Sequence, residues 1–129
     1  MATGSQWDQH NLTDLIRDIL RTIPQDTTYG TGRAFLTTYQ IAIEFAQRNP
    51  QIVAALGYSV GGEGEGPYAL THYIARWLPD RMQRGATDIE MGLLDPQHMV
   101  SLAFDDNGIT RTATTNQAGF NTTMFRLVD

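Results

Sequence analysis

The amino-acid sequence predicts a single α+β domain, with an N-terminal cluster of three to four helices followed by a small antiparallel β-sheet and hairpin. Three observations lead to this fold class. Apolar residues recur at helical spacing before Gly85, alternating and β-branched segments follow it, and 129 residues is close to the commonest length of one domain. We expect residues 11–129 to form that domain and residues 1–10 to form a flexible N-terminus.

The first helix is predicted between Asn11, as its N-cap, and Pro24, which ends it. Its apolar residues follow the spacing of one helical stripe and are Leu12, Leu15, Ile16, Ile19, Leu20 and Ile23. Arg17 and Arg21 lie on the solvent side, with Asp14 and Asp18, each three positions earlier, as their partners. This helix is expected to face the core along its whole length.

A second helix is expected to begin at Arg33 or Thr37 and to end at Arg48, after a polar loop over residues 25–32. Thr37 or Thr38 is its expected cap. The residues available for burial on this helix are Phe35, Tyr39, Ile41, Ala42, Phe45 and Ala46.

A short third helix is predicted over residues 51–56, with Pro50 in its first turn and Gly57 at its C-cap. A glycine-rich loop follows, through Gly66. Such a loop can hold a phosphate at a helix N-terminus, but Glu63 and Glu65 would repel an anion, and no strand precedes it. We therefore interpret the loop as a connector, and whether it is ordered or binds a ligand stays open.

The fourth helix is predicted over residues 67–78, in the only segment with an excess of positive charge. Its core face carries Leu70, Ile74, Trp77 and Leu78. The opposite face is expected to present Tyr68, His72 and Arg76, with Thr71 and Ala75 beside them. Pro79 is expected to kink the helix or to start a last turn toward Gly85.

The sheet is predicted from three segments after Gly85. Residues 89–93 alternate, Asn107-Gly108 is typical of a type I′ hairpin turn, and residues 121–128 form a closing strand. A two-residue turn pairs Val100, Leu102 and Phe104 with Thr115, Ala113 and Arg111. Phe125 and Leu127 are expected to point inward.

Composition excludes several classes of chemistry. The chain has no cysteine, so it has no disulfide, no thiolate nucleophile and no cysteine-based metal site. All nine basic residues are arginine, which removes lysine-based Schiff-base and P-loop chemistry. His10, His72 and His98 lie far apart, and no catalytic motif is present, so we expect no metal, no cofactor and no enzyme activity. Without a targeting signal or an apolar run of about 20 residues, a cytoplasmic location away from membranes is expected.

The segment Leu-Thr-Thr-Tyr-Gln-Ile-Ala over residues 36–42 resembles the opening of the second helix in winged helix-turn-helix domains. Residues 69–78 resemble the third, presenting helix of those domains. The hairpin around Asn107-Gly108 is similar to the wing, and residues 123–127 are similar to its return strand. The resemblance spans most of residues 11–129 in the order of its elements, and implies a small regulatory domain that binds double-stranded DNA.

The resemblance implies which residues would contact nucleic acid. On the predicted helix over residues 67–78, which corresponds to the presenting helix of those domains, these are Tyr68, Thr71, His72 and Arg76. Their side chains would reach base edges. Arg81, Arg84 and Arg111 would contact phosphates. A net charge of −5 keeps a second hypothesis open, in which the same fold binds a protein partner or itself and does not bind DNA. The partner, any DNA sequence preference and the oligomeric state do not follow from the sequence.

Overall fold

The computed structural model of the chain describes residues 5–58, 69–99, 101–114 and 123–128. The α-helices in these ranges are α1 (Ser5–Gln9), α2 (Leu12–Arg21), α3 (Thr38–Arg48), α4 (Pro50–Leu56) and α5 (Leu70–Gln83). The β-strands in them are β1 (Gln25–Asp26), β2 (Gly32–Arg33), β3 (Leu36–Thr37), β4 (Ile89–Leu93), β5 (Ser101–Asp106), β6 (Ile109–Thr114) and β7 (Thr123–Leu127). A short 3₁₀-helix covers Pro96–His98. The chain is thus of mixed helix and sheet composition, in agreement with the predicted α+β class.

The strands form three antiparallel sheets. The largest has the order β3-β7-β4, so that β7 lies in its middle, with Phe125 opposite both Leu36 and Met91. Strands β5 and β6 form a separate hairpin, and β1 and β2 form another. The strand that comes last along the described part of the chain therefore holds the main sheet together.

The main hydrophobic core lies between the helices and the β3-β7-β4 sheet. It is built from fully buried side chains of α1, α2, α3, α5 and β7, the largest of which are Trp7, Phe45, Phe125, Leu12, Ile16 and Leu70. A second, smaller cluster joins α3 to the hairpin through Tyr39, Ile43 and Phe104, and the Tyr39 and Phe104 rings stack at 4.9 Å. Helix α3 thus contributes to two cores through different faces.

Several local sequence signals are confirmed. The Thr37 side chain and the Gln40 side chain form a reciprocal capping box at the start of α3. Gly57 ends α4 with φ at 78°, in the left-handed region that glycine tolerates. Asn107 and Gly108 both have positive φ, as a type I′ turn requires, and the register pairs Leu102 with Ala113 and Phe104 with Arg111. The expected Val100–Thr115 pair lies outside the described residues.

The N-terminal segment differs from its prediction. Residues 5–9 form α1 instead of a flexible end, because Trp7 is completely buried and its Nε1 donates a hydrogen bond to the Thr13 hydroxyl at 2.8 Å. Asn11 lies just before α2 and has a left-handed backbone conformation. It occupies the predicted N-cap position, but its side chain makes no capping hydrogen bond. With α1 included, the described residues contain five α-helices instead of three to four.

Helix α5 is longer than predicted and continues through Pro79 to Gln83. Residues 25–32, predicted as a loop, form most of the small β1-β2 hairpin, which ends at Arg33. Arg126 anchors this hairpin, since its guanidinium donates to the carbonyl oxygen of Thr31 at 2.7 Å and to Glu90 at 2.6 Å. The side chain also lies over the Phe35 ring. These polar contacts join segments that are distant in sequence, so the local pattern gives no signal of them.

Candidate functional site

Helix α5 carries most of the residues predicted to contact nucleic acid, and the structure separates them. The predicted core face is confirmed for Leu70, Ile74 and Leu78, which are fully buried. Thr71 is also buried, at 1% exposure, so the expectation that it lies on the exposed face is wrong. It follows Leu70 at the start of the helix, where both side chains turn inward.

The other members of that predicted face differ among themselves. Ala75 is buried, His72 is half-buried, and Arg76 is exposed, with its guanidinium 5.7 Å from the centre of the Trp77 ring. Tyr68 lies outside the described residues. On the described part of α5, Arg76 is therefore the member of this face that solvent reaches freely.

The arginines at the end of α5 are held by acidic side chains. Arg81 forms ion pairs with Asp80 and, at 3.0 Å, with Asp8 from α1, and only 15% of its side chain is exposed. Arg84 is exposed and contacts the same Asp80 carboxylate at 3.2 Å. Asp8 is 73 residues from Arg81 in the chain. The positive charge seen in the sequence of this segment is thus partly neutralised in the fold.

Arg111 lies on the β5-β6 hairpin and is not grouped with the α5 arginines. Its guanidinium pairs with Asp106, whose carboxylate also accepts a hydrogen bond from Gln47 of α3 at 2.8 Å. The hairpin packs on the Tyr39 and Ile43 face of α3, whereas the α5 core residues belong to the cluster on another face of that helix. The predicted basic surface is therefore divided between two sides of α3.

We expect Asp106→Asn to lower stability at neutral pH and to matter less in acid. Hydrogen bonds from Gln47 and Arg111 hold the pKa of Asp106 below its ordinary value. The carboxylate therefore stabilises the fold fully above the ordinary aspartate pKa of about 4, and this contribution is lost as the pH falls through the lowered pKa of the folded state.

Urea unfolding of both proteins checks this dependence. We expect a loss of about 1 kcal/mol at neutral pH that becomes smaller toward about pH 3. A difference between the two proteins that does not change with pH contradicts the role assigned to the carboxylate.

A groove of about 360 Å³ lies between α2, α3 and the hairpin. Its apolar surface consists of Ile19, Ile23, Leu36, Ile43 and Phe104. Its polar rim consists of Thr22, Gln40, Glu44, Gln47, Asp105 and Asn107. We call this feature the α2–α3–hairpin groove. Six of its eleven lining residues are polar, so it is more polar than the usual small-molecule cleft and offers a small apolar surface beside a larger polar one.

Sequence reasoning does not reveal this groove. The pattern identifies Ile19 as a buried helix residue and Phe104 as a strand residue, but the cleft exists only where three elements meet. The sequence signal closest to it is the Asn107-Gly108 turn, which places Asp105 and Asn107 at one end of the groove. That signal predicts a hairpin and does not say against which helix the hairpin packs.

No helix in the described ranges is both long enough and apolar enough to span a bilayer. In the same ranges, no group of three or more metal-binding side chains is placed to hold an ion. Comparisons with protein-family models, with curated proteins and with solved structures find no match for this chain.

Proposed function

We propose that the chain is a non-enzymatic protein-interaction domain of winged-helix-like arrangement, which binds its partner through the α2–α3–hairpin groove. The observation that carries this proposal is the groove itself, where fully or largely buried apolar side chains of α2, α3 and β5 meet beneath a polar rim. Apolar contact area surrounded by polar groups is what protein-binding clefts offer to an inserted side chain.

The order of elements supports the winged-helix-like part of the proposal. Strand β7 returns antiparallel to β4, and the β5-β6 hairpin lies between these two strands in the chain, as a wing and its return strand would. Helices α2, α3 and α5 precede β4 and pack together through one core. The hairpin packs on α3, so that the proposed wing and α3 form the groove together.

Binding to double-stranded DNA is the second candidate, and the charge distribution favours it less. Strong non-specific affinity for DNA depends on arginine or lysine side chains that neutralise phosphates. Here Arg81 and Arg111 are engaged by carboxylates, Thr71 is buried, and the chain carries a net charge of −5. The exposed arginines Arg76 and Arg84 are the side chains that a phosphate backbone would meet on α5.

Selection of displayed random peptides against the immobilised chain tests the proposed function. We expect enriched peptides whose affinity falls about tenfold or more, an energy difference of about 1.4 kcal/mol, when Thr22→Trp places a large side chain in the groove. Gln83→Trp is the matched control, because Gln83 is an exposed position at the end of α5, away from the groove. It should leave peptide affinity unchanged.

Two outcomes would overturn the proposal. One is the absence of any enriched peptide, or of any peptide sensitive to Thr22→Trp. The other is a salt-sensitive rise in fluorescence anisotropy of a labelled DNA duplex that disappears in the Arg76→Ala/Arg84→Ala double variant, which would favour the DNA-binding candidate instead.

A further inference from the structure

We propose that the α2–α3–hairpin groove recognises a short segment of a partner protein in which an apolar side chain stands close to an arginine or lysine. This inference rests on the proposed function and adds the chemical class of the partner. Its basis is the contrast between the floor of the groove, which is apolar, and its rim, where the charged groups are carboxylates.

The apolar residues at the bottom of the groove are the reason why we expect an apolar side chain in the partner segment. Ile19, Ile43 and Phe104 are at least nine-tenths buried yet still line the groove. Most of the accessible apolar area comes from Ile23 and Leu36, which are half-buried, and a side chain that enters would cover this area. A volume of about 360 Å³ is near the lower end of ligand-binding clefts, so the groove accepts one or two side chains of a segment instead of a whole domain surface.

The carboxylates at the rim of the groove are the reason why we expect an arginine or lysine in the partner segment. Among the described residues that line the groove, the charged side chains are Glu44 and Asp105, one on each wall. Glu44 forms an exposed ion pair with Arg48 at 2.7 Å. One carboxylate oxygen of Asp105 accepts a hydrogen bond from the backbone N–H of Gly108 at 3.0 Å, and the second carboxylate oxygen of Asp105 is available to a partner. An arginine or lysine placed between the two walls would be attracted to Asp105 and would share Glu44 with Arg48.

The charges also distinguish this occupant from others. The glycine-rich segment of the same chain carries Glu63 and Glu65 and no basic residue, so the carboxylates of the rim would repel it. A nucleic-acid phosphate would be repelled for the same reason. A second copy of the chain could also offer an exposed arginine, such as Arg21, Arg48, Arg76 or Arg84, and this case is an outcome of the experiment.

The experiment uses two displayed libraries of short peptides that are random except at one central position, fixed as arginine in one library and as glutamine in the other. We expect the arginine library to yield the tighter groove-dependent binders, with groove dependence judged by Thr22→Trp. In the best binder, the peptide change Arg→Gln is then combined with the protein variant Glu44→Gln/Asp105→Asn in a double-mutant cycle.

For the wild-type chain, we expect Arg→Gln in the peptide to weaken binding roughly twofold to fivefold, as exposed ion pairs do. In the Glu44→Gln/Asp105→Asn variant, the same peptide change should have little effect. In Asp105→Asn, the side-chain amide oxygen can still accept the hydrogen bond from the Gly108 backbone N–H, so the turn is kept. Asp14→Asn/Asp18→Asn is the matched control, since it removes two exposed carboxylates from α2 outside the groove lining and should preserve the full effect.

The possible results separate the two proposals. Groove-dependent binders that come equally from both libraries, or that show no coupling in the cycle, overturn the basic-partner inference and leave the proposed function standing. No groove-dependent binder from either library overturns the proposed function. Concentration-dependent light scattering that is abolished by either Thr22→Trp or Arg76→Ala would identify a second copy as the occupant and overturn the inference of a separate partner.

Discussion

Phe125→Ala is expected to lower the free energy of unfolding by about 3–5 kcal/mol, the usual cost of removing a fully buried phenylalanine. Phe125 is completely buried and sits in the central strand β7, opposite Leu36 of β3 and Met91 of β4. Its ring belongs to the core formed with α2, α3 and α5. Removal would leave a cavity where all the layers meet, which the surrounding backbone can close only in part.

Urea unfolding followed by circular dichroism measures this loss. Leu93→Ala is the control on the neighbouring strand β4, because 63% of the Leu93 residue is exposed, and a change there should cost within about 0.5 kcal/mol. Equal effects of the two substitutions would mean that β7 does not close the core as described.

Trp7→Ala is expected to have an effect of similar size, about 3–5 kcal/mol. The Trp7 side chain is completely buried, its Nε1 donates to the Thr13 hydroxyl, and its ring lies 5.4 Å from that of Tyr73 in α5. Burial raises the pKa of the Tyr73 hydroxyl to about 12, which reflects the same enclosed aromatic cluster. Loss of the indole would remove the main anchor of α1.

Two further variants separate the parts of this effect. Trp7→Phe keeps most of the apolar area and loses the hydrogen bond, so we expect a smaller cost of about 1–2 kcal/mol. Gln6→Ala changes an exposed neighbour on α1 and should be close to neutral. If Trp7→Ala unfolds at the same urea concentration as the wild type, α1 contributes nothing to the stability of the domain.

Elements with a repeating local pattern could be predicted from the sequence. Helix α2 shows an apolar residue at every turn, and the capping box of α3 and the Asn107-Gly108 turn are signals contained within a few residues. The two-residue strands β1, β2 and β3 contain too few positions for any alternation, so they could not be found in this way. Trp7 is a single buried aromatic residue in a polar segment, and one residue has no period.

The candidate site depended on contacts that the sequence does not specify. Arg81 belongs to a basic segment when charges are counted along the chain, but its partner Asp8 comes from the N-terminal helix α1. The α2–α3–hairpin groove draws its walls from segments that are distant in the chain, as between Ile19 and Phe104, which are 104 − 19 = 85 positions apart. Charge and apolar patterns describe each wall, and only packing of the walls creates the groove.

The central position of β7 also governs the order in which the domain can be assembled during synthesis. Leu36 and Phe125 are paired although 125 − 36 = 89 positions separate them, so the ribosome makes β3, all five described helices and β4 before the strand that joins β3 to β4. Until β7 emerges, the nascent helices have no sheet to cover their apolar sides. Closing so long a stretch of chain carries an entropic cost, and non-local pairing of this kind slows folding. The β3-β7-β4 sheet can therefore be completed only after all the described helices have been synthesised.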